Sequence, residues 1–119
     1  MDILNYLFVL ASIGLGAFGW LAPRYTLETL DLQAGPTGMG QPEIRASAGA
    51  LFIGMGLGAL IIGSPAAFAM LGFCWLGASV GRATSLVLDG QSRKKWTFFG
   101  VEAVVGLGAL MLNLPLALS

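Results

Sequence analysis

The sequence predicts an all-α polytopic membrane protein: a single domain over residues 1–119, built as an antiparallel bundle of four transmembrane helices. Three observations carry that expectation. The 119 residues are 56% hydrophobic and only 10% charged, where soluble domains carry about a quarter charged residues. A mean hydropathy of +0.83 leaves more apolar surface than so small a water-facing globule could cover. The apolar residues also gather into four runs near the ~20 residues that a helix needs to cross about 30 Å of hydrocarbon.

The first run, residues 3–22, begins after Met1-Asp2 with no basic residue ahead of it, and Gly19-Trp20-Leu21-Ala22-Pro23 is a poor cleavage site. It therefore reads as a retained span rather than a secretion signal. A long loop over residues 23–45 follows, carrying Arg24, Glu28 and Asp31. Its Gly35-Pro36, Gly38 and Gly40-Gln41-Pro42 read as breaks in any helix. Within it, residues 26–32 are expected to form a short interfacial turn of helix presenting Leu27, Leu30 and Leu32. The second and third runs, residues 46–62 and 66–88, are joined by little more than Gly63-Ser64-Pro65, a turn that forces antiparallel neighbours. Asp89-Gly90 breaks the third helix, and Arg93-Lys94-Lys95 leads into the fourth, residues 97–116.

Four spans place the first and third loops on one face and both termini on the other. All six cations, Arg24, Arg45, Arg82, Arg93, Lys94 and Lys95, lie on or near the loop face. The positive-inside rule then puts the charged loops in the cytoplasm and both termini outside. Trp20, Tyr25 and Trp96 fall at span ends on that same side, where amphipathic rings prefer the headgroup region.

The composition removes whole classes of function. A net charge of zero lacks the electrostatic drive that nucleic-acid binding requires. With no histidine and a single cysteine, Cys74, the sequence has no basis for a disulfide framework, a Cys/His zinc site, histidine-ligated haem or a histidine base. No catalytic set, metal site or cofactor is expected, and the chain is read as non-enzymatic. Cys74, in mid-span, reads as a buried small hydrophobe.

Within lipid, helices associate through close packing and internal polar contacts. Gly54 and Gly58 extend a small-residue stripe from Ala46 and Ala50, and Gly77 and Gly81 repeat the device on the third span. Ser12, Gly16 and Gly19 give the first span a smooth edge, and Glu102, Gly106, Ala109 and Asn113 share one face of the fourth. These stripes serve either internal packing or a lateral partner helix. Asn113 can cap its own helix end or bridge to Asn5.

Two charges lie inside spans. Arg82 precedes Asp89 by seven residues and Glu102 follows Lys95 by seven, so each sits about 10 Å from the same loop. An antiparallel hairpin brings them level. A cluster of Arg45, Arg82 and Glu102, rimmed by Glu43 and Asp89, is the expected site. Three readings stay open for it: a salt-bridge lock on helix register, a pocket for a quinone, an anionic lipid headgroup or another amphiphile, and a proton or cation carrier at Glu102.

Glu43-Ile44-Arg45-Ala46, the glycine-rich second span, Gly81-Arg82 with Ser85, Asp89-Gly90 and then Glu102 together resemble an uncharacterised, loosely DoxX-like family of small four-helix bacterial membrane proteins. The resemblance runs from about Pro23 to the end of the fourth span and departs at Ser47-Ala48, where a bulkier aromatic residue is expected before Gly49. It implies a bacterial inner-membrane bundle with Arg45, Arg82 and Glu102 at the family's charged positions, and redox or quinone-linked membrane neighbours. It implies no activity.

The first functional expectation is an integral membrane subunit or assembly factor, with membrane lipids and the helices of other membrane proteins, or of further copies, as its partners. The alternatives are a binder of a hydrophobic small molecule at the charged pocket and a small proton-coupled transporter using Glu102.

Overall fold

The computed structural model describes residues 2–119. Its helices are α1 (Ile3–Leu21), α2 (Pro23–Thr29), α3 (Gly40–Arg45), α4 (Leu51–Ile62), α5 (Pro65–Leu88) and α6 (Arg93–Leu118). A wide π turn, Ala46–Ala50, makes α3 and α4 one run. Four helical stretches, Ile3–Leu21, Gly40–Ile62, Pro65–Leu88 and Arg93–Leu118, are long and apolar enough to cross a membrane. The fold is the expected all-α, four-span one.

The distribution of side chains agrees with a lipid surround. Leu10, Ile61, Met70, Val87 and Met111 are 62–81% exposed, whereas Asn5, Ser12, Ser79 and Asn113 are buried. A soluble domain hides the first kind of residue and exposes the second. Here hydrocarbon is the solvent, and the polar groups turn inward to find partners. This is a multi-pass membrane protein.

The chain divides into two compact units, each built on an antiparallel helix pair. The amino-terminal unit is Tyr6–Ile61; the carboxy-terminal unit joins the chain up to Asn5 to Ile62–Ser119. In the amino-terminal unit, Gly19 backs onto Ala48, Gly16 onto Gly49 and Ile53, and Gly56 onto Val9, Ser12 and Ile13. In the carboxy-terminal unit, Gly72 faces Gly106 and Ala109 across α5 and α6, above a core of Phe68, Leu71, Trp75 and Leu110.

The helix ends follow from local chemistry. Gly63, at φ 67°, turns the chain into Ser64, whose side chain accepts from Ala67 N at 3.3 Å and caps α5, with Pro65 in the first turn. Gly90, at φ 92°, makes the next turn, and Ser92 caps α6 by accepting from Lys95 N at 3.2 Å. Lys95 Nζ donates to the carbonyls of Asp89 and Gly90 at 3.2 and 3.1 Å, satisfying acceptors that the end of α5 leaves over.

Two sequence expectations need correction here. The second span starts at Gly40 rather than Ala46, so Gly40-Gln41-Pro42 opens a helix instead of breaking one. Pro42 stands in the first turn, where its missing N–H would have had no helical acceptor. The short helix covers Pro23–Thr29 rather than residues 26–32, because Pro23 pre-sets φ at the first helical position. Asp31, at φ 56°, closes it, with Leu32 N returning to Leu27 O at 2.8 Å.

Candidate functional site

In the carboxy-terminal unit, α5 carries Arg82 and α6 carries Glu102, and the short turn at residues 89–92 brings them level. Arg82 Nε donates to Glu102 Oε1 at 3.1 Å. The Arg82 guanidinium carbon also lies 5.2 Å from the Phe98 ring centroid, a cation–π contact one turn before Glu102 on α6. The arginine side chain is 39% exposed and the glutamate 12%, so the pair sits at the flank of the helix hairpin with the carboxylate turned inward. Glu102 Oε2 is buried and has no hydrogen-bond partner. The contact is therefore single-stranded rather than the two-pronged form that arginine and a carboxylate can make.

Asp89 accepts from Ser85 Oγ at 2.8 Å, one turn apart on α5. Arg45 and Glu43 belong to the amino-terminal unit, where each has a partner of its own. Arg45 Nη1 donates to Trp20 O at 2.6 Å, satisfying one of the carbonyls left over in the last turn of α1. Ser47 Oγ donates to Glu43 Oε1 at 3.0 Å and to its backbone oxygen at 2.7 Å. Of the five charged residues expected to share one site, Arg82 and Glu102 are brought into direct contact.

Around Arg45 the amino-terminal unit holds a cavity of about 410 Å³. Arg24, Tyr25, Gln41 and Arg45 supply its polar wall and residues 21–23 its apolar one. Gln41 and Arg45 stand four apart on one helical face. That spacing carries meaning only once α3 is recognised as a helix, and reading Pro42 as a breaker hides it. Arg24 and Tyr25 were legible only as an interfacial cation and ring.

A second polar pair lies deeper. Asn5 Nδ2 donates to Asn113 Oδ1 at 2.9 Å, and Asn113 Nδ2 donates back to Asn5 Oδ1 at 2.7 Å. Asn113 Nδ2 also reaches Ala109 O at 2.8 Å. Both residues are buried, and the bridge is the one of the two expected roles that involves Asn5.

The packing glycines divide unevenly. Gly106 is a close-approach residue: a Cβ there would fall 2.6 Å from Leu76 N. At Gly54, Gly58, Gly77 and Gly81 a Cβ would meet nothing within 4 Å. Spacing four identifies a helix face, not the direction it points, and the internal contacts are made by Gly16, Gly19, Gly49, Gly56 and Gly72. Cys74 is likewise exposed on α5 rather than buried. Among the described residues, no three acidic or cysteine side chains come together as a metal site would need.

Comparison with known proteins gives no match to a family model, to a curated protein or to a solved structure.

Proposed function

We propose that this chain is a non-enzymatic integral membrane subunit, an accessory or assembly factor that packs laterally against the helices of a larger membrane complex. Redox or energy-transducing complexes are the class to which the DoxX-like resemblance points. It resides in the bacterial inner membrane with its charged loops in the cytoplasm and both termini in the periplasm. The placement of all six cations on or near one face supports that orientation. The Arg82–Glu102 pair serves to hold α5 and α6 in register.

The observation that carries the reading is the set of span glycines facing open space, Gly54 and Gly58 on α4 and Gly77 and Gly81 on α5. Glycine inside a helix costs about 0.5–1 kcal/mol relative to alanine. At Gly49 or Gly106 close helix contact offsets that cost. At the outward glycines nothing within the chain does, and lipid tails fill a groove no better than they cover an alanine. A partner helix that approaches to backbone contact supplies the missing compensation.

The same emptiness makes the test clean. Leucines introduced by Gly54→Leu with Gly58→Leu enter open space, so the chain keeps its own fold while the smooth face is lost. Solubilised gently from native membrane, the wild-type chain is expected to travel with a stoichiometric companion. The double variant is expected to travel alone with unchanged helicity. A wild-type chain recovered only as a free monomer overturns the proposal, as does a double variant that keeps its companion.

A further inference from the structure

The cavity beside Arg45 has no part in the lateral packing just proposed, and its chemistry is specific. Two arginines, Arg24 and Arg45, line it with Tyr25 and Gln41, and no acidic residue does. Like charges gathered on one wall repel unless an anion joins them. Arg24 makes no hydrogen bond or ion pair among the described residues, and only Nη1 of Arg45 is engaged, by Trp20 O. The nearby carboxylate of Glu43 is turned to Ser47. Guanidinium donors left over in this way match phosphate oxygens in charge and in fork geometry.

The surroundings fix the depth. Tyr25 on α2 lines the cavity and Trp20 precedes its lining residue Leu21 at the end of α1; they are 58% and 47% exposed, as rings are where aromatic belts meet headgroups. Leu21, in the apolar wall, is exposed, and so is Phe18 one turn before it on α1. A ligand with its charge at the arginines thus has hydrocarbon-like surface beside it, running toward the membrane core.

We infer that this cavity binds a phosphate-bearing anionic headgroup, that of an anionic phospholipid in the leaflet facing the charged loops. A free phosphate compound shares the recognition chemistry and is distinguished by experiment. The purified chain is equilibrated with mixed micelles holding equal phosphatidylglycerol and phosphatidylcholine, and retained lipid is read by native mass spectrometry. Phosphatidylglycerol is expected to be retained in preference, and Arg24→Gln to reduce its retention about tenfold, the loss of one charge-assisted contact. Arg93→Gln, which removes the same charge at a residue that does not line the cavity, is expected to leave retention unchanged. Equal retention of the two lipids overturns the inference, as does an equal effect of Arg24→Gln and Arg93→Gln. Displacement of phosphatidylglycerol by millimolar inorganic phosphate overturns the lipid as occupant.

Discussion

The two units hold their helices by different means. In the amino-terminal unit, α1 and the Gly40–Ile62 stretch meet backbone to backbone: a Cβ on Gly49 would fall 2.5 Å from Trp20 N, and one on Gly16 2.6 Å from Gly49 O. The π turn Ala46–Ala50 lies at this closest approach. The carboxy-terminal unit has such a point at Gly72 and Gly106. It adds large buried side chains such as Phe68 and Trp75, the Arg82–Glu102 ion pair and the Asn5–Asn113 bridge. Lipid offers no hydrophobic drive for helix association. The amino-terminal unit relies on more points of backbone proximity, with Arg45 on Trp20 O as a polar contact beside them, and the other adds an ion pair and an amide bridge that hydrocarbon cannot satisfy, so the two should fail under different substitutions.

The largest effect is expected where backbone proximity is tightest. Gly49→Val places three carbons against the backbone of Gly19 and Trp20, which cannot yield without parting the helices. A loss of about 3 kcal/mol is expected, the upper range of overpacking, read as a lowered midpoint in detergent-to-SDS unfolding. Gly77→Val, entering open space on α5, is expected to leave the midpoint unchanged or slightly raised, since valine is no poorer a helix former than glycine. If the two variants unfold alike, the distinction between inward and outward glycines fails.

The next effect belongs to the ion pair. Glu102→Gln removes the charge facing Arg82 and is expected to cost about 1–3 kcal/mol, less than a fully buried pair because Arg82 keeps partial exposure. Exchanging the two, Arg82→Glu with Glu102→Arg, is expected to recover part of that loss in the same unfolding assay. A proton carrier at Glu102 would behave otherwise: Glu102→Gln would leave stability intact and abolish proton-linked transport in vesicles.

What the sequence made legible tracks how local each signal is. Four spans stand out because apolar runs of membrane length are unambiguous, and the Arg82–Glu102 contact follows from equal depth on either side of a short turn. The start of α3 was hidden because proline breaks a helix interior and is welcome in a first turn, and the letters alone do not say which position Pro42 holds. The cavity was hidden with it, since Gln41 and Arg45 share a face only if residues 40–45 are helical. Glycine stripes were visible, but their azimuth depends on which neighbour each helix meets. The stripes holding Gly16, Gly19 and Gly106 do lie at close approaches, whereas Gly49, Gly56 and Gly72 belong to less regular spacings than the Gly54-Gly58 and Gly77-Gly81 repeats.

The smallest effect is expected at the Asn5–Asn113 bridge, and it sharpens the comparison because it isolates polar contact from charge. Each amide donates to the other, and Asn113 retains Ala109 O as a second acceptor. Asn5→Leu leaves Asn113 with part of its bonding intact, whereas Asn113→Leu leaves Asn5 without its reciprocal partner, so Asn113→Leu is expected to be the costlier single change. The coupling in a double-mutant cycle is expected at about 0.6 kcal/mol and no more than about 1.7, the mean and the maximum for hydrogen bonds between membrane helices. Its modest size has a physical cause: a chain unfolded within a membrane also finds partners for its amides, so the reference state loses less than a fully unsatisfied group would. A coupling near zero would mean that the carboxy-terminal unit relies on packing alone at this depth, and its contrast with the amino-terminal unit would then rest on the arginine and glutamate.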